Sequence, residues 1–422
     1  MPSRTTALAV IGMLVATCSF AQQNRIDVVS PLAPELAAYG PRAIGVRTIT
    51  ATDRNRVDVL ATHEGGPVAR YDRTLTLEVW YPATLAPGQQ PGGDYRAITR
   101  DPAVTATLHG QAVRNANPLA PPAPLPLVIV SHGYPGNRYL MSHLCENLAS
   151  KGFIVVAIDH KDSTYDDQKA FASTLYNRAF DQLFVLDEMA RLGQAASGSF
   201  LAGLVDDTHT GLVGYSMGGY GLVNVIGGGY SDASITMNDA PPNRLIADRA
   251  ASNPRYRDTM DPRIKAAIAI APWGMQNGHW TADGLAGIRT PVLFVAGSAD
   301  TVAGYEKGTK ALFEAAVNAD RHLLTYLNAN HNAGAPIPAP VETYHYSESN
   351  RTAPFTHYAD AVWDSVRMNN ILDHFATAFF EWHLKGEQDK AAYLTPPADG
   401  VDMKGFKPRT AVGLTLEHRA PR

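Results

Sequence analysis

The stretch that decides the fold is Gly211–Val223, GLVGYSMGGYGLV. It opens as a short apolar strand, passes through Gly214-Tyr215-Ser216-Met217-Gly218-Gly219, and resumes with the apolar pair Leu222-Val223 of a helix. Glycine, any residue, serine, any residue, glycine between a strand and a helix is the pattern of a nucleophile elbow. The turn is so tight that Gly214 and Gly218 need to lack a Cβ for the backbone segments to approach. Ser216 is lifted onto its tip. The pentapeptide is common in inert turns, and the strand and helix flanking it give it meaning here.

Working outward, further apolar strands are expected at 127–131, 153–159, 264–271, 291–296 and 323–327. Helical spacing is expected over 137–150, 181–192, 306–318 and 359–384. Continuous apolar strands alternating with helices predict an α/β fold, with a mostly parallel central sheet covered by helices on both faces. Upstream, residues 44–50 and 74–81 alternate and are rich in β-branched and aromatic side chains, so antiparallel N-terminal edge strands are expected there. The Pro- and Gly-rich stretch 82–126 is read as an irregular surface connection. Residues 228–262 are read as a loop covering part of the site.

A serine hydroxyl needs a base, and the base needs an orienting acid. After a nucleophile elbow the chain order is Ser, acid, His. The strand 291–296 runs into Gly297-Ser298-Ala299-Asp300, and the next strand into Asn328-Ala329-Asn330-His331. Ligands on such sheets bind at the C-terminal ends of the strands. Asp300 and His331 are therefore the expected acid and base, ahead of Asp239, Asp261, His345 and His357, which do not directly follow strands. Oxyanion donors are expected at the backbone N–H of Met217 and of Tyr134, in Ser131-His132-Gly133-Tyr134-Pro135-Gly136; Pro135 has no N–H to offer. The Tyr134 side chain is expected to wall the acyl pocket. Trp273, in Ala271-Pro272-Trp273-Gly274, follows the fourth strand, a position that serves either a substrate platform or the core. Asp159-His160-Lys161-Asp162, with Asp166 and Asp167 nearby, is read as a solvated loop, and no metal site or cofactor is expected.

Composition narrows the rest. The 422 residues are 45% hydrophobic and 18% charged, the balance of a globular protein, and the formal charge of -4 with no basic run argues against nucleic acid or anionic membrane as partner. Arg4, the apolar run 7–20 and Ser19-Phe20-Ala21 form a signal-peptide pattern, with cleavage expected after Ala21 and a secreted or periplasmic destination. The run is too short for a membrane span. The catalytic domain is expected to cover 22–386, with a C-terminal tail, 387–422, packed on it or partly disordered. Of two cysteines, Cys18 lies in the leader and Cys145 in an apolar helical pattern, where it is read as a core residue.

Three of these segments carry a family resemblance. Ser131-His132-Gly133, Leu148-Ala149-Ser150-Lys151-Gly152-Phe153-Ile154-Val155 and Asp159-His160-Lys161-Asp162 resemble the platelet-activating-factor acetylhydrolase group of α/β-hydrolases. Gly45-Val46-Arg47-Thr48 and Glu78-Val79-Trp80-Tyr81-Pro82-Ala83 resemble its bacterial, dienelactone-hydrolase-like members. The resemblance spans roughly residues 40–335. It implies an α/β-hydrolase fold and a cofactor-free serine esterase of short or oxidised acyl groups, with Ser216, Asp300 and His331 as triad and Tyr134 and Met217 as oxyanion donors. True dienelactone hydrolases carry cysteine where Ser216 stands, which counts against that substrate. Gly-x-Ser-Met-Gly-Gly and Ala-Pro-Trp are similar to motifs of cutinase-like polyester hydrolases, whose tryptophan helps hold substrate, though those enzymes lack the long N-terminal region and tail. Polyester and aryl esters stay open as substrates. So do an amidase sharing the mechanism and a ligand-binding protein on the same scaffold without turnover.

Overall fold

A computed structural model describes residues 23–398 and 403–422. The expected leader, 1–21, lies outside the described residues. Two long antiparallel strands open the fold, β1 (Ala43–Val57) and β2 (Arg70–Thr84). A separate hairpin follows, β3 (Gly93–Ile98) with β4 (Thr105–Gly110), then two short strands, β5 (Val113–Arg114) and β6 (Asn117–Pro118). Strand and helix then alternate through β7 (Leu125–Ser131), α1 (Ser142–Ser150), β8 (Ile154–Asp159), α2 (Phe171–Gly193), β9 (Val205–Tyr215) and α3 (Met217–Val225). The second half contains β10 (Ile264–Ile270), α4 (Ala282–Leu285), β11 (Val292–Gly297), α5 (Lys310–Ala315), β12 (Arg321–Tyr326), α6 (Ser365–Lys385) and β13 (Leu414–Arg419).

The main sheet has the order β13-β12-β11-β10-β9-β7-β8-β2-β1-β5, with β6 paired to β2. Strands β8 to β12 and β7 run parallel, while β2 joins β8, and β13 joins β12, antiparallel. The expected parallel sheet with antiparallel N-terminal strands is present. Side chains alternate between faces along each strand. Val128, Val130, Val155, Ala157 and Val213 pack with α1 and α6 on one face. Leu127, Ile129, Ile154, Val156 and Leu212 pack with α2, α3 and α5 on the other. Covering both faces is why these strands read as unbroken apolar runs.

Several expectations need correction. The connection 82–126 is not wholly irregular, since Tyr95, Ala97, Ala106 and Leu108 turn inward from β3 and β4. Strand β9 starts six residues before Gly211, because Val205 and Asp206 pair with Leu125 and Pro126 of β7, and the polar Asp207-Thr208-His209 bulges out before pairing resumes at Thr210. Helix α6 starts at Ser365, where Asp364 caps it by accepting the Arg367 N–H at 2.8 Å. Cys145 is buried in α1, and burial pushes its thiol up. No described helix is long and apolar enough to cross a membrane.

Candidate active site

Ser216 sits between β9 and α3 with φ 53° and ψ −112°, in the region that strains a residue bearing a side chain. Its backbone is tied on both sides. The Ser216 N–H donates to the Ile270 carbonyl at 2.9 Å, and its carbonyl accepts N–H bonds from Tyr220 at 3.0 Å and Trp273 at 3.1 Å. The flanking glycines are required by space. A Cβ on Gly214 would lie 2.4 Å from the Gly218 carbonyl oxygen, and one on Gly218 would lie 2.0 Å from that of Ser131.

Ser216, His331 and Asp300 come together as expected. The Ser216 hydroxyl lies 2.9 Å from His331 Nε2, and His331 Nδ1 lies 2.9 Å from Asp300 Oδ2. With Nδ1 protonated, His331 donates to the carboxylate and presents Nε2 to accept the serine proton. Asp300 Oδ1 accepts the N–H groups of Val302 at 2.8 Å and Ala303 at 2.9 Å. Burial on its own raises the Asp300 carboxyl. The His331 hydrogen bond and charge, with those two N–H groups, outweigh it and hold the carboxyl below its ordinary value.

The loops bearing Asp300 and His331 are joined by a residue that no sequence expectation named. Asn330 Oδ1 accepts the N–H of Thr301 at 3.0 Å and of His331 at 2.8 Å. The adjacent loop comes close enough that a Cβ on Gly297 would lie 2.1 Å from the Asn330 carbonyl oxygen. Only the residue type, an asparagine beside the histidine, signalled this.

Met217 is the first residue of α3, so its N–H has no partner within the helix. Gly133 brings the second expected donor loop over the serine, where a Cβ would lie 3.3 Å from the Ser216 Cβ. Tyr134 follows, and among the described residues its N–H donates to no protein group. A cavity of about 550 Å³ opens onto this point, lined by Tyr134, Ser216, Val302, His331, Phe355 and His357 among others.

The rival residues fall elsewhere. His357 lines the cavity, but its Nε2 is 2.9 Å from the Tyr165 hydroxyl and it has no bond to Ser216. His345 lies near Asp101, Asp261 bonds Arg263, and Asp239 is exposed. Residues 228–262, expected to cover the site, contribute nothing to the cavity lining. That wall comes from residues 355–361 instead. Trp273 does not line the cavity either. Its ring packs edge-on to Phe171, with centroids 5.4 Å apart, and Phe171 packs edge-on to Tyr134 at 5.2 Å. Tyr134 is thus backed by two aromatic rings in series, and Trp273 is the second.

Beneath the Gly133-Tyr134 loop lies a second Ser–His–Asp chain. Ser131 Oγ is 2.8 Å from His160 Nε2, and His160 Nδ1 is 3.0 Å from Asp181 Oδ2. The three are 1%, 1% and 0% exposed, so no substrate reaches them. Their partners show what they hold. The His160 N–H donates to His132 Nε2 at 3.2 Å, and Arg178 donates to the His132 carbonyl at 2.6 Å and to Ser163 Oγ at 2.8 Å. Asp181 is also clamped by Arg73 at 2.8 and 2.9 Å. Burial would raise its carboxyl, but Arg73, His160 and Arg56 hold it ionised. Burial pushes His160 down to about 3, so this imidazole stays neutral. The stretch 159–162 is therefore no solvated loop, because Asp159 pairs Arg138 and Asp162 pairs Arg73.

The family model described as "Platelet-activating factor acetylhydrolase, isoform II" matches residues 97–182, which include Gly133, Tyr134 and the buried Ser131–His160–Asp181 chain. Cutinase 2 of Thermobifida cellulosilytica is 27% identical over 176 residues, 42% of this chain and 48% of its own. Cutinase est1 of Thermobifida alba is 26% identical over 207 residues, 49% of this chain and 53% of its own. The chain spans about half the length of the curated relatives it matches. A solved structure described as a ferulic acid esterase from Streptomyces cinnamoneus superposes with a TM-score of 0.55 at 22% identity, covering 84% of this chain and 94% of that one. The fold is that of the α/β-hydrolases. The chain resembles both the platelet-activating-factor acetylhydrolase family and the cutinases.

Proposed function

We propose that this chain is a serine carboxylic-ester hydrolase. The observation that carries the reading is the unbroken Ser216–His331–Asp300 relay, with both links at 2.9 Å, at the mouth of a cavity. His331 Nε2 takes the Ser216 proton as Oγ attacks the ester carbonyl. Asp300 holds the imidazole in the right tautomer and stabilises its charged form. The N–H groups of Met217 and Tyr134 receive the oxyanion, aided by the positive end of α3. His331 then protonates the leaving alcohol, and water attacks the acyl-enzyme by the same route in reverse. The relay needs no cofactor.

The substrate class we infer is a short-chain or aryl ester. The cavity volume suits a small ester. Tyr134, backed by Phe171, offers a rigid aromatic wall beside the nucleophile. The cutinase relatives and the ferulic acid esterase neighbour support the same class, and keep a polyester chain as the second reading. The leader pattern at 1–21 places the enzyme outside the cytoplasm in this reading.

The test is turnover of p-nitrophenyl acetate by wild type and Ser216→Ala. A loss of several orders of magnitude is expected, together with loss of fluorophosphonate labelling. Near wild-type turnover in the variant overturns the assignment. Folded wild type that neither turns over nor takes the label would be a binding protein. Matched ester and amide substrates separate esterase from amidase, and an ester series ending in an aromatic polyester ranks the substrates.

A further inference from the structure

At the far end of the sheet, β12 and β13 put two imidazoles in register, His322 opposite His418. The rings stack with centroids 4.4 Å apart and planes 19° from parallel. Asp320, just before β12, reaches His418 Nε2 with Oδ1 at 2.6 Å. One ligand atom from each of the three lies within 4.8 Å of the others. None of them lines the cavity at Ser216.

A second observation points at a ligand. His322 is 2% exposed, yet its Nδ1 has no hydrogen-bond partner among the described residues. Native structures rarely leave a buried polar atom unpaired, and a bound ion is one of the ordinary explanations. The neighbouring cations do not answer for it. Arg321 donates to the carbonyls of Phe313, Ala319 and Ala420, and Arg419 pairs with Glu314.

We propose that Asp320, His322 and His418 bind a zinc-class divalent ion that ties β13 onto β12. Two imidazoles and one carboxylate suit a borderline ion such as Zn²⁺, whereas Ca²⁺ and Mg²⁺ favour oxygen alone. In tetrahedral coordination the ligand atoms stand about 3.3 Å apart, so the cluster closes by roughly an ångström or more on binding. His418 supplies the movement. Its side chain is 37% exposed on the edge strand and turns out of the stack, while His322 is fixed by burial. Three protein ligands leave the fourth position to water. The ion's role is structural, and this site stands apart from the ester-hydrolase reading.

The experiment is calorimetric titration of Zn²⁺ into the tag-free protein, paired with thermal unfolding and repeated in His418→Ala and Asp320→Asn. Both positions are partly exposed, and far-UV circular dichroism reports whether each variant is folded. The expected result is one ion per chain with a saturable rise in Tm, and binding weakened at least tenfold in each variant. Co²⁺ in place of Zn²⁺ should give a visible d–d band that is lost in His418→Ala. Absence of stoichiometric binding overturns the proposal. So does binding in folded His418→Ala that matches wild type, since the ion would then sit elsewhere.

Discussion

Asp300 receives the Nδ1–H of His331 at 2.9 Å on one oxygen while its other oxygen is held by two backbone N–H groups. The carboxylate therefore cannot swing away, and it fixes which imidazole nitrogen faces Ser216. Asp300→Asn keeps the shape and offers an amide N–H where an acceptor is needed. Turnover of p-nitrophenyl acetate should drop on the order of 10⁴-fold with little change in KM. A loss below tenfold would remove Asp300 from the relay.

Asn330 joins the two loops without touching the reacting atoms, so it is a positioning residue. Asn330→Ala should lower kcat by about ten- to a hundredfold, since small misplacement of a base is costly. KM and Tm should move little. An equal fall in Tm and kcat would show that the residue serves only the fold.

The two Ser–His–Asp chains should respond in opposite ways. Ser131→Ala should cost roughly 1 kcal/mol of stability and leave fluorophosphonate labelling of Ser216 intact. Asp181→Asn leaves buried Arg73 with Asp162 as its one remaining carboxylate and should cost up to roughly 3–5 kcal/mol, read from the urea midpoint. Labelling abolished in folded Ser131→Ala would mean that the buried chain takes part in the chemistry.

Acid should destabilise the fold through its buried histidines, from the pH at which their imidazoles in the unfolded chain take up protons. Burial pushes His160, His357 and His374 each down to about 3. Their unfolded values lie near 6.5, so the unfolded chain binds more protons below that pH. Stability is complete above about pH 6.5 and is lost as the pH falls toward 3, by roughly 2 kcal/mol per group at pH 5. Scanning calorimetry should find a lower Tm at pH 5 than at pH 8. An unchanged Tm would mean that these rings are charged in the fold.

The parallel sheet and the placement of Ser216, Asp300 and His331 just past the ends of strands were legible in the sequence because each depends on local pattern. An apolar run flanked by turns announces a strand covered on both faces, and Ser216, Asp300 and His331 each follow one. What depended on distant pairing was not legible. The polar start of β9 is a strand only because Leu125 and Pro126 lie beside it. The short β3–β4 hairpin is masked by its Pro and Gly flanks. Trp273 follows a strand as expected, but Phe171, from the start of α2, stands between it and Tyr134. Residues 355–361 reach the cavity from a loop that precedes α6, and no sequence signal marks that approach.

Strand β13 has a consequence for solution behaviour. All six residues of β12 are buried, and β13 covers its outer hydrogen-bonding edge along its full length. Without that cover, a row of unpaired amides beside apolar side chains would be free to recruit the same row on another molecule. A chain cut before Leu414 should therefore fail by self-association, taking with it the strand that delivers His331. Strand β13 should thus guard against polymerisation as much as it completes the sheet.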